Sequence, residues 1–459
     1  MFDRVLPVIA IVGRPNVGKS TLFNRIIKKR QAIVGDRPGV TVDRLEVEFR
    51  IGDELCVLVD TGGIGESQHG EMQYAIDMQV EAALDVADVV MFAVDALAGV
   101  TPVDHAIAQK LRKAGRPVIM VVNKAENPDL ATDFFALGMG EPLPVSAAHG
   151  QGMLPLMAAL AKAIPRYDIK DAPSEIKPSA RITVIGRPNV GKSTLINAWL
   201  GKERMVLSPI AGTTRDAIDS DLPYGDGFIR LVDTAGQRKS GRISDVIEFV
   251  ARVKAVQAFR RADAAVMVLD GGEGIVEQDM RLMQLAQDEG CALIVAVNKV
   301  DLLTEEEWKY FAERLNFRMR GMTEIPVYRI AAKHKKGVKK LMQHAIHAAK
   351  SNSFQVSTGE LNRWLEAAER KQFAPSAEGA IVRLKYALQI DTSPPTLKIF
   401  SNRPTGIKPS YIRYLEQDFR QHFRLPGVPV RLRFDKTDNP YEGKSNSEGK
   451  SKGRSRKDR

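Results

Sequence analysis

The string GRPNVGKST occurs twice, at residues 13–21 and 186–194, 173 positions apart. Each copy follows an apolar run (8–12; 182–185) and leads into a helix-like stretch (22–27; 195–200), the strand, loop, helix context that a phosphate-binding loop requires. Backbone N–H groups at the start of the helix, at its positive dipole end, can cradle a polyphosphate. Gly13, Gly18, Gly186 and Gly191 let the chain wrap close to that anion. Arg14, Pro15, Asn16 and Val17 fill the first loop, and Arg187, Pro188, Asn189 and Val190 fill the second. Lys19 and Lys192 are placed to reach the outer phosphates and assist catalysis, while Ser20 and Ser193 offer a hydroxyl to phosphate-bound Mg2+. One copy alone could be a glycine-rich turn. Two identical copies in the same context leave no room for that reading.

Further elements fall into register between the copies, and together they describe a guanine-nucleotide switch. Asp60, Thr61, Gly62 and Gly63 meet Asp233, Thr234, Ala235 and Gly236 at the same offset of 173. Asp60 and Asp233 end apolar strands, where a carboxylate can hold Mg2+, and Gly63 or Gly236 can donate its N–H to the γ-phosphate. Thr41 and Thr214, in loops after the first helix of each copy, can close over the metal and are assigned to catalysis. Asn298, Lys299, Val300 and Asp301 end an apolar strand, and a carboxylate there accepts two N–H donors that guanine has and adenine lacks. The first copy reads Asn123, Lys124, Ala125 and Glu126, whose extra methylene moves the acceptor by about 1.5 Å. Guanine specificity is expected to survive there with altered affinity. The turn under the base has Ser146, Ala147 and Ala148 in one copy and Ala331, Ala332 and Lys333 in the other, so the second is expected to use main-chain contacts only. After the glycines come Ile64, which cannot orient water, and Gln237, which either can or is simply a polar surface residue.

The elements that must position these residues are short apolar runs alternating with amphipathic segments. Runs at 8–12, 55–59, 89–94, 118–122 and 142–145 lack period-two alternation, as strands buried on both faces do, which predicts an α/β fold with a mostly parallel sheet and helices on each side. The predicted organisation is a GTPase domain over 1–164, a linker over 165–180 interrupted by Pro165, Pro173 and Pro178, and a second GTPase domain over 181–350. An α+β module follows over 351–440, expected to set helices on a small antiparallel sheet, and then a disordered basic tail over 441–459. The linker is long enough to let the two domains reorient. No apolar stretch approaches the ~20 residues needed to span a bilayer, so no membrane role is expected. Without a signal peptide, and with only Cys56 and Cys291, both in apolar runs, a cytoplasmic chain with buried free thiols is expected. The net charge of +11 is concentrated toward the C-terminus, which suits a nucleic-acid partner.

With twin phosphate loops, DTGG and DTAG, NKAE and NKVD, and a basic terminal module, the chain resembles the bacterial EngA/Der tandem-GTPase family over roughly residues 7–440. That resemblance implies two P-loop GTPase domains followed by a KH-like domain. It also implies a monomer that binds GTP and GDP, hydrolyses GTP, and acts in ribosome biogenesis with the large (50S) ribosomal subunit and rRNA as partners. In related GTPases an asparagine matching Asn16 and Asn189 helps hold K+, so these residues either bind that ion or only shape the turn. The chain departs from the family pattern at Val42, where an arginine is usual, and at Gln237, where an apolar residue is usual. The module has no GxxG loop, by which ordinary KH domains clamp nucleic acid. Its Arg413, Arg420, Arg424, Arg431 and Arg433 contact phosphates or solvate their elements. The alternative to a switch is an RNA-binding scaffold whose nucleotide sites are mainly structural. A tRNA-modifying or metal-transporting GTPase is disfavoured, because no cysteine lies near the C-terminus and no membrane segment is present.

Overall fold

The computed structural model describes residues 6–28, 46–52, 54–63, 72–165, 178–201, 219–225, 227–233, 244–320, 322, 324–374 and 381–436. Most of the linker and the whole 441–459 tail lie outside them. The chain separates into two compact units, 1–349 and 350–459, and both GTPase copies belong to the first.

The first copy runs β1 (Val8–Val12), α1 (Lys19–Lys28), β2 (Glu46–Ile51), β3 (Glu54–Asp60), α2 (Met72–Val86), β4 (Val89–Asp95), α3 (Pro102–Ala114), β5 (Val118–Asn123), β6 (Leu143–Pro144) and α4 (Met153–Ala163). Its sheet order is β2-β3-β1-β4-β5-β6, parallel except for β2 against β3. The antiparallel β2 is the element that the search for uninterrupted apolar runs passes over, because EVEFRI alternates as a strand solvated on one face does. Along β1, Val8, Ala10 and Val12 enter one core with α2 and α3, while Ile9 and Ile11 enter another with α1 and α4. A helix layer on each face is what keeps the strand ends, where the site residues sit, in one row.

The second copy repeats the plan with β7 (Arg181–Ile185), α5 (Lys192–Leu200), β8 (Ser220–Tyr224), β9 (Gly227–Val232), α6 (Ser244–Arg261), β10 (Ala264–Asp270), α7 (Glu277–Asp288), β11 (Ala292–Asn298), α8 (Glu305–Arg318), β12 (Val327–Arg329) and α9 (Val338–Asn352). Its order, β12-β11-β10-β7-β9-β8, is that of the first sheet read from the other edge. The two copies touch: α2 packs on α6, Val253 of α6 joins the apolar core of the first copy, and Arg260 pairs with Glu48 of β2 as well as with Glu289. Both cysteines are free and buried, and burial pushes the Cys56 thiol up to about 12.

The second unit holds α10 (Thr358–Lys371), β13 (Leu384–Thr392), β14 (Pro395–Ser401), α11 (Pro409–Phe423) and β15 (Arg431–Lys436). Its sheet is mixed and not antiparallel throughout, because β15 runs parallel to β14. The connection between them carries α11, a crossover long enough to return the chain in the same direction. Trp364, Phe419 and Tyr411 are the large side chains of this core, and Trp364 Nε1 donates to the buried Asp418 at 2.9 Å.

Candidate functional site

In each copy the phosphate loop is pressed against two strand ends. Gly13 and Gly186 lie so close to β4 and β10 that a Cβ would come within 2.2 Å of Ala93 O and 2.4 Å of Val268 O. Gly18 (φ 90°) and Gly191 (φ 101°) sit against the first residue of the base-reading motif, with a Cβ falling 2.3 and 2.2 Å from Asn123 and Asn298 Nδ2. Only glycine fits these places. Val17 and Val190 are fully buried anchors, while Pro15, Asn16, Pro188 and Asn189 are exposed. Asn16 and Asn189 adopt φ 66° and 63°, a left-handed turn that asparagine tolerates better than most residues.

Lys19 is buried, and its Nζ donates to Gly13 O at 2.8 Å and Arg14 O at 3.0 Å. Lys192 Nζ donates to Arg187 O at 2.6 Å, and burial lowers its ammonium to about 8. Arg14 and Arg187 reach the fully buried carboxylates of Asp104 (3.5 Å) and Asp279 (3.0 Å). Burial raises Asp279 despite the Arg187 guanidinium beside it.

The residues expected to hold Mg2+ come together in the first copy. Ser20 Oγ donates to Asp60 Oδ2 at 2.8 Å, and Asp60 Oδ1 accepts from Gly62 N at 2.8 Å. Thr61 Oγ1 ties this turn to Ile11 O at 2.6 Å, and Gly62 lies within 3.1 Å of Lys19 Cε when a Cβ is built on it. A hydroxyl and a carboxylate side by side, next to a lysine, are the hard oxygen donors that Mg2+ takes together with phosphate. In the second copy Asp233 has φ 57°, and its N–H donates to Asp219 Oδ1 at 3.2 Å. Ser193 is exposed at the start of α5. Thr41, Ile64, Thr214, Thr234, Ala235, Gly236 and Gln237 lie outside the described residues.

The base-reading loops are braced identically. Asn123 Nδ2 donates to Val17 O (2.8 Å) and its Oδ1 accepts from Ala147 N (3.1 Å). Asn298 Nδ2 donates to Val190 O (2.9 Å) and its Oδ1 accepts from Ala332 N (2.9 Å). One asparagine therefore joins three loops, and because the third contact is to a main-chain N–H, alanine at 331 and 332 costs nothing there. Lys124 and Lys299, both at left-handed φ, pair with Asp95 (2.6 Å) and Asp270 (2.5 Å). Burial pushes Asp95 up, but hydrogen bonds from Lys124 and from Leu97 and Ala98 N–H hold it below the usual carboxylate range. Ala125 N donates to Val145 O at 3.1 Å and Val300 N to Ile330 O at 3.4 Å, fixing the loops from below. The carboxylates of Glu126 and Asp301 face His149 and His334 at 3.2 and 3.4 Å.

Asp95 with Asp270, Asp104 with Asp279, and His149 with His334 are site residues that motif spelling misses. Each pair recurs between the copies, at offsets of 175, 175 and 185, so aligning the copies residue by residue would have found them. Among the described residues no group of three or more His, Cys, Asp and Glu side chains could by itself hold a metal ion.

Residues 8–124 and 181–299 match the sequence profile of a 50S ribosome-binding GTPase, and 355–434 match the KH-domain-like C-terminal region of EngA bacterial GTPase enzymes. The chain is 42% identical over 446 residues to a GTPase Der of Thioalkalivibrio sulfidiphilus, covering 96% of each protein. It is 38% identical over 473 residues to the GTPase Der of Rhizobium meliloti, covering 95% of this chain and 98% of that one. To the GTPase Der of Coxiella burnetii it is 41% identical over 442 residues, covering 96% and 99%.

Proposed function

The chain belongs to the EngA/Der family of tandem GTPases, and we propose that this GTP-hydrolysing enzyme acts as a two-site switch in assembly of the large ribosomal subunit. The observation that carries the reading is the doubled asparagine brace. Asn123 and Asn298 each tie a phosphate loop to a base-reading loop, so one nucleotide must satisfy both loops at once. The KH-like unit supplies a surface for RNA, and the likeness to 50S ribosome-binding GTPases supports the large subunit as the particle. On this reading the protein acts in the cytoplasm, as a monomer. No helix among the described residues is long and apolar enough to cross a membrane.

In each domain the residues of 13–20 or 186–193 hold the polyphosphate, with Lys19 or Lys192 on its outer oxygens. Residues 60–64 with 123–126, and 233–237 with 298–301, complete the two sites. Bound Mg2+ neutralises charge spreading on the phosphoryl oxygens, and Ser20, Thr41 and Asp60, or Ser193, Thr214 and Asp233, are the groups that would hold it. Hydrolysis needs water placed in line, with no covalent nucleophile on the protein. K+ beside Asn16 and Asn189 would add a second positive charge, in the role that an arginine finger plays electrostatically. Turnover is then expected to be faster in KCl than in NaCl, and equal rates remove the ion from the mechanism.

The switch is tested by pelleting the full-length protein with large-subunit particles in GTP, GDP or a nonhydrolysable analogue. Cosedimentation that depends on the nucleotide is expected. Binding indifferent to all three would leave a scaffold, with nucleotide sites that serve structure alone.

A further inference from the structure

The turn under the base is built alike in the two copies but charged very differently. It closes through a Ser146↔Gln151 bridge in the first copy and an Ala331↔Lys336 bridge in the second, and each leads through a left-handed glycine, Gly152 (φ 72°) or Gly337 (φ 77°), into a helix, α4 or α9. Over 333–340 the second copy carries Lys333, Lys335, Lys336, Lys339 and Lys340, all exposed. The equivalent positions of the first copy are Ala148, Gly150, Gln151, Leu154 and Pro155. The same backbone is therefore made without a single one of these charges, and the fold does not require them.

Two costs accompany the lysines. Lys335 takes φ 55° where the first copy has Gly150 at 76°, a left-handed conformation that strains an L-residue and that glycine adopts freely. Five like charges within eight residues also repel one another. After burial, Lys340 is the main influence pushing the His344 imidazole below its ordinary value, with His347 adding to it. Lys335, Lys339 and Lys340 line a shallow basin of about 660 Å³ with Gly337, Gln343 and His344. Its lining side chains are those of lysine, glutamine and histidine, and lysine is depleted at the cores of protein–protein interfaces, so the chemistry suits a flexible chain of phosphates.

We propose that the lysine turn 333–340 of the second GTPase domain is a docking surface for the phosphate backbone of RNA, separate from the KH-like unit. The proposal rests on the reading of RNA as partner and adds a contact beside the guanine site itself. The turn that carries the lysines also supplies the Ala332 N–H to Asn298, so an RNA seated there bears on the loop that holds the nucleotide.

The test uses full-length protein and a short fluorescein-labelled RNA hairpin, with binding followed by anisotropy between about 50 and 200 mM salt. Replacing Lys335 by Gly, the first copy's residue, and Lys336, Lys339 and Lys340 by Gln is expected to weaken binding more than tenfold. The log K against log salt slope is expected to become shallower by up to about 3, the counterion release of four phosphate contacts. Fluorescent GDP binding is expected to persist, and Lys→Arg at the same four positions is expected to keep RNA affinity. Unchanged affinity and slope, with binding lost instead in an Arg431→Gln, Arg433→Gln protein, overturns the proposal and leaves the RNA reading intact. No binding by the unaltered protein fails the RNA reading itself. Loss of binding to poly-glutamate while RNA binding stays unchanged assigns the turn to an acidic protein and also overturns the proposal.

Discussion

At Glu126 and Asp301, the residues proposed to read guanine, the two copies present carboxylates of different length, and each faces a histidine. Glu126→Asn replaces one acceptor oxygen by a donor, so GTP affinity in the first domain is expected to fall about tenfold and xanthosine triphosphate to gain. Titration in a Lys192→Ala background, which silences the second domain, isolates the effect, and GTP affinity held at its original value would refute this role for Glu126. Lys192 gives a second prediction. Its ammonium sits at about 8 in the folded protein, below the 10.5 of a free lysine, so between those values the unfolded chain binds more protons and stability rises with pH. Nucleotide binding has the opposite sign. Phosphate favours the charged lysine, so above pH 8 GDP binding by the second domain takes up a proton and weakens as pH climbs. Calorimetry in buffers of different ionisation enthalpy measures that uptake, and Lys192→Met removes it.

At the scale of elements, what positions the site is the close approach of each phosphate loop to the ends of two strands. Gly18→Ala or Gly191→Ala forces a Cβ toward Asn123 or Asn298 Nδ2 at a positive φ. Each is expected to destabilise its domain by roughly 2 kcal/mol and to weaken GDP binding there more than tenfold; thermal unfolding with and without GDP separates the two effects. Much of this was legible beforehand. The strands carrying the motifs are unbroken apolar runs, and the motifs mark where they end. The alternating β2 was missed because one of its faces is solvated, and the parallel β15 because strand direction depends on how α11 returns the chain, which no local pattern records. Asp95, Asp270, Asp104 and Asp279 were hidden because an aspartate at a strand end or in a helix's first turn has ordinary local uses, and only folding brings Lys124, Lys299, Arg14 and Arg187 to them.

Across the whole first unit, the helices α2 and α6 come from different copies and pack on one another. Val253 belongs to the second copy in sequence and to the first copy's apolar core in space. Val253→Ala is expected to cost about 1–3 kcal/mol, and the loss should appear in the unfolding of the first domain; a shift confined to the second domain would contradict the packing. The repeat that opens the sequence suggests two independent proteins joined by a tether, separable with one cut between residues 165 and 178. Cutting there would leave the first half with an uncovered apolar face where Val253 had been and Glu48 without Arg260. The halves are inherited as duplicates but are no longer interchangeable parts, and a fragment of either is a poor stand-in for the same sequence within the intact chain.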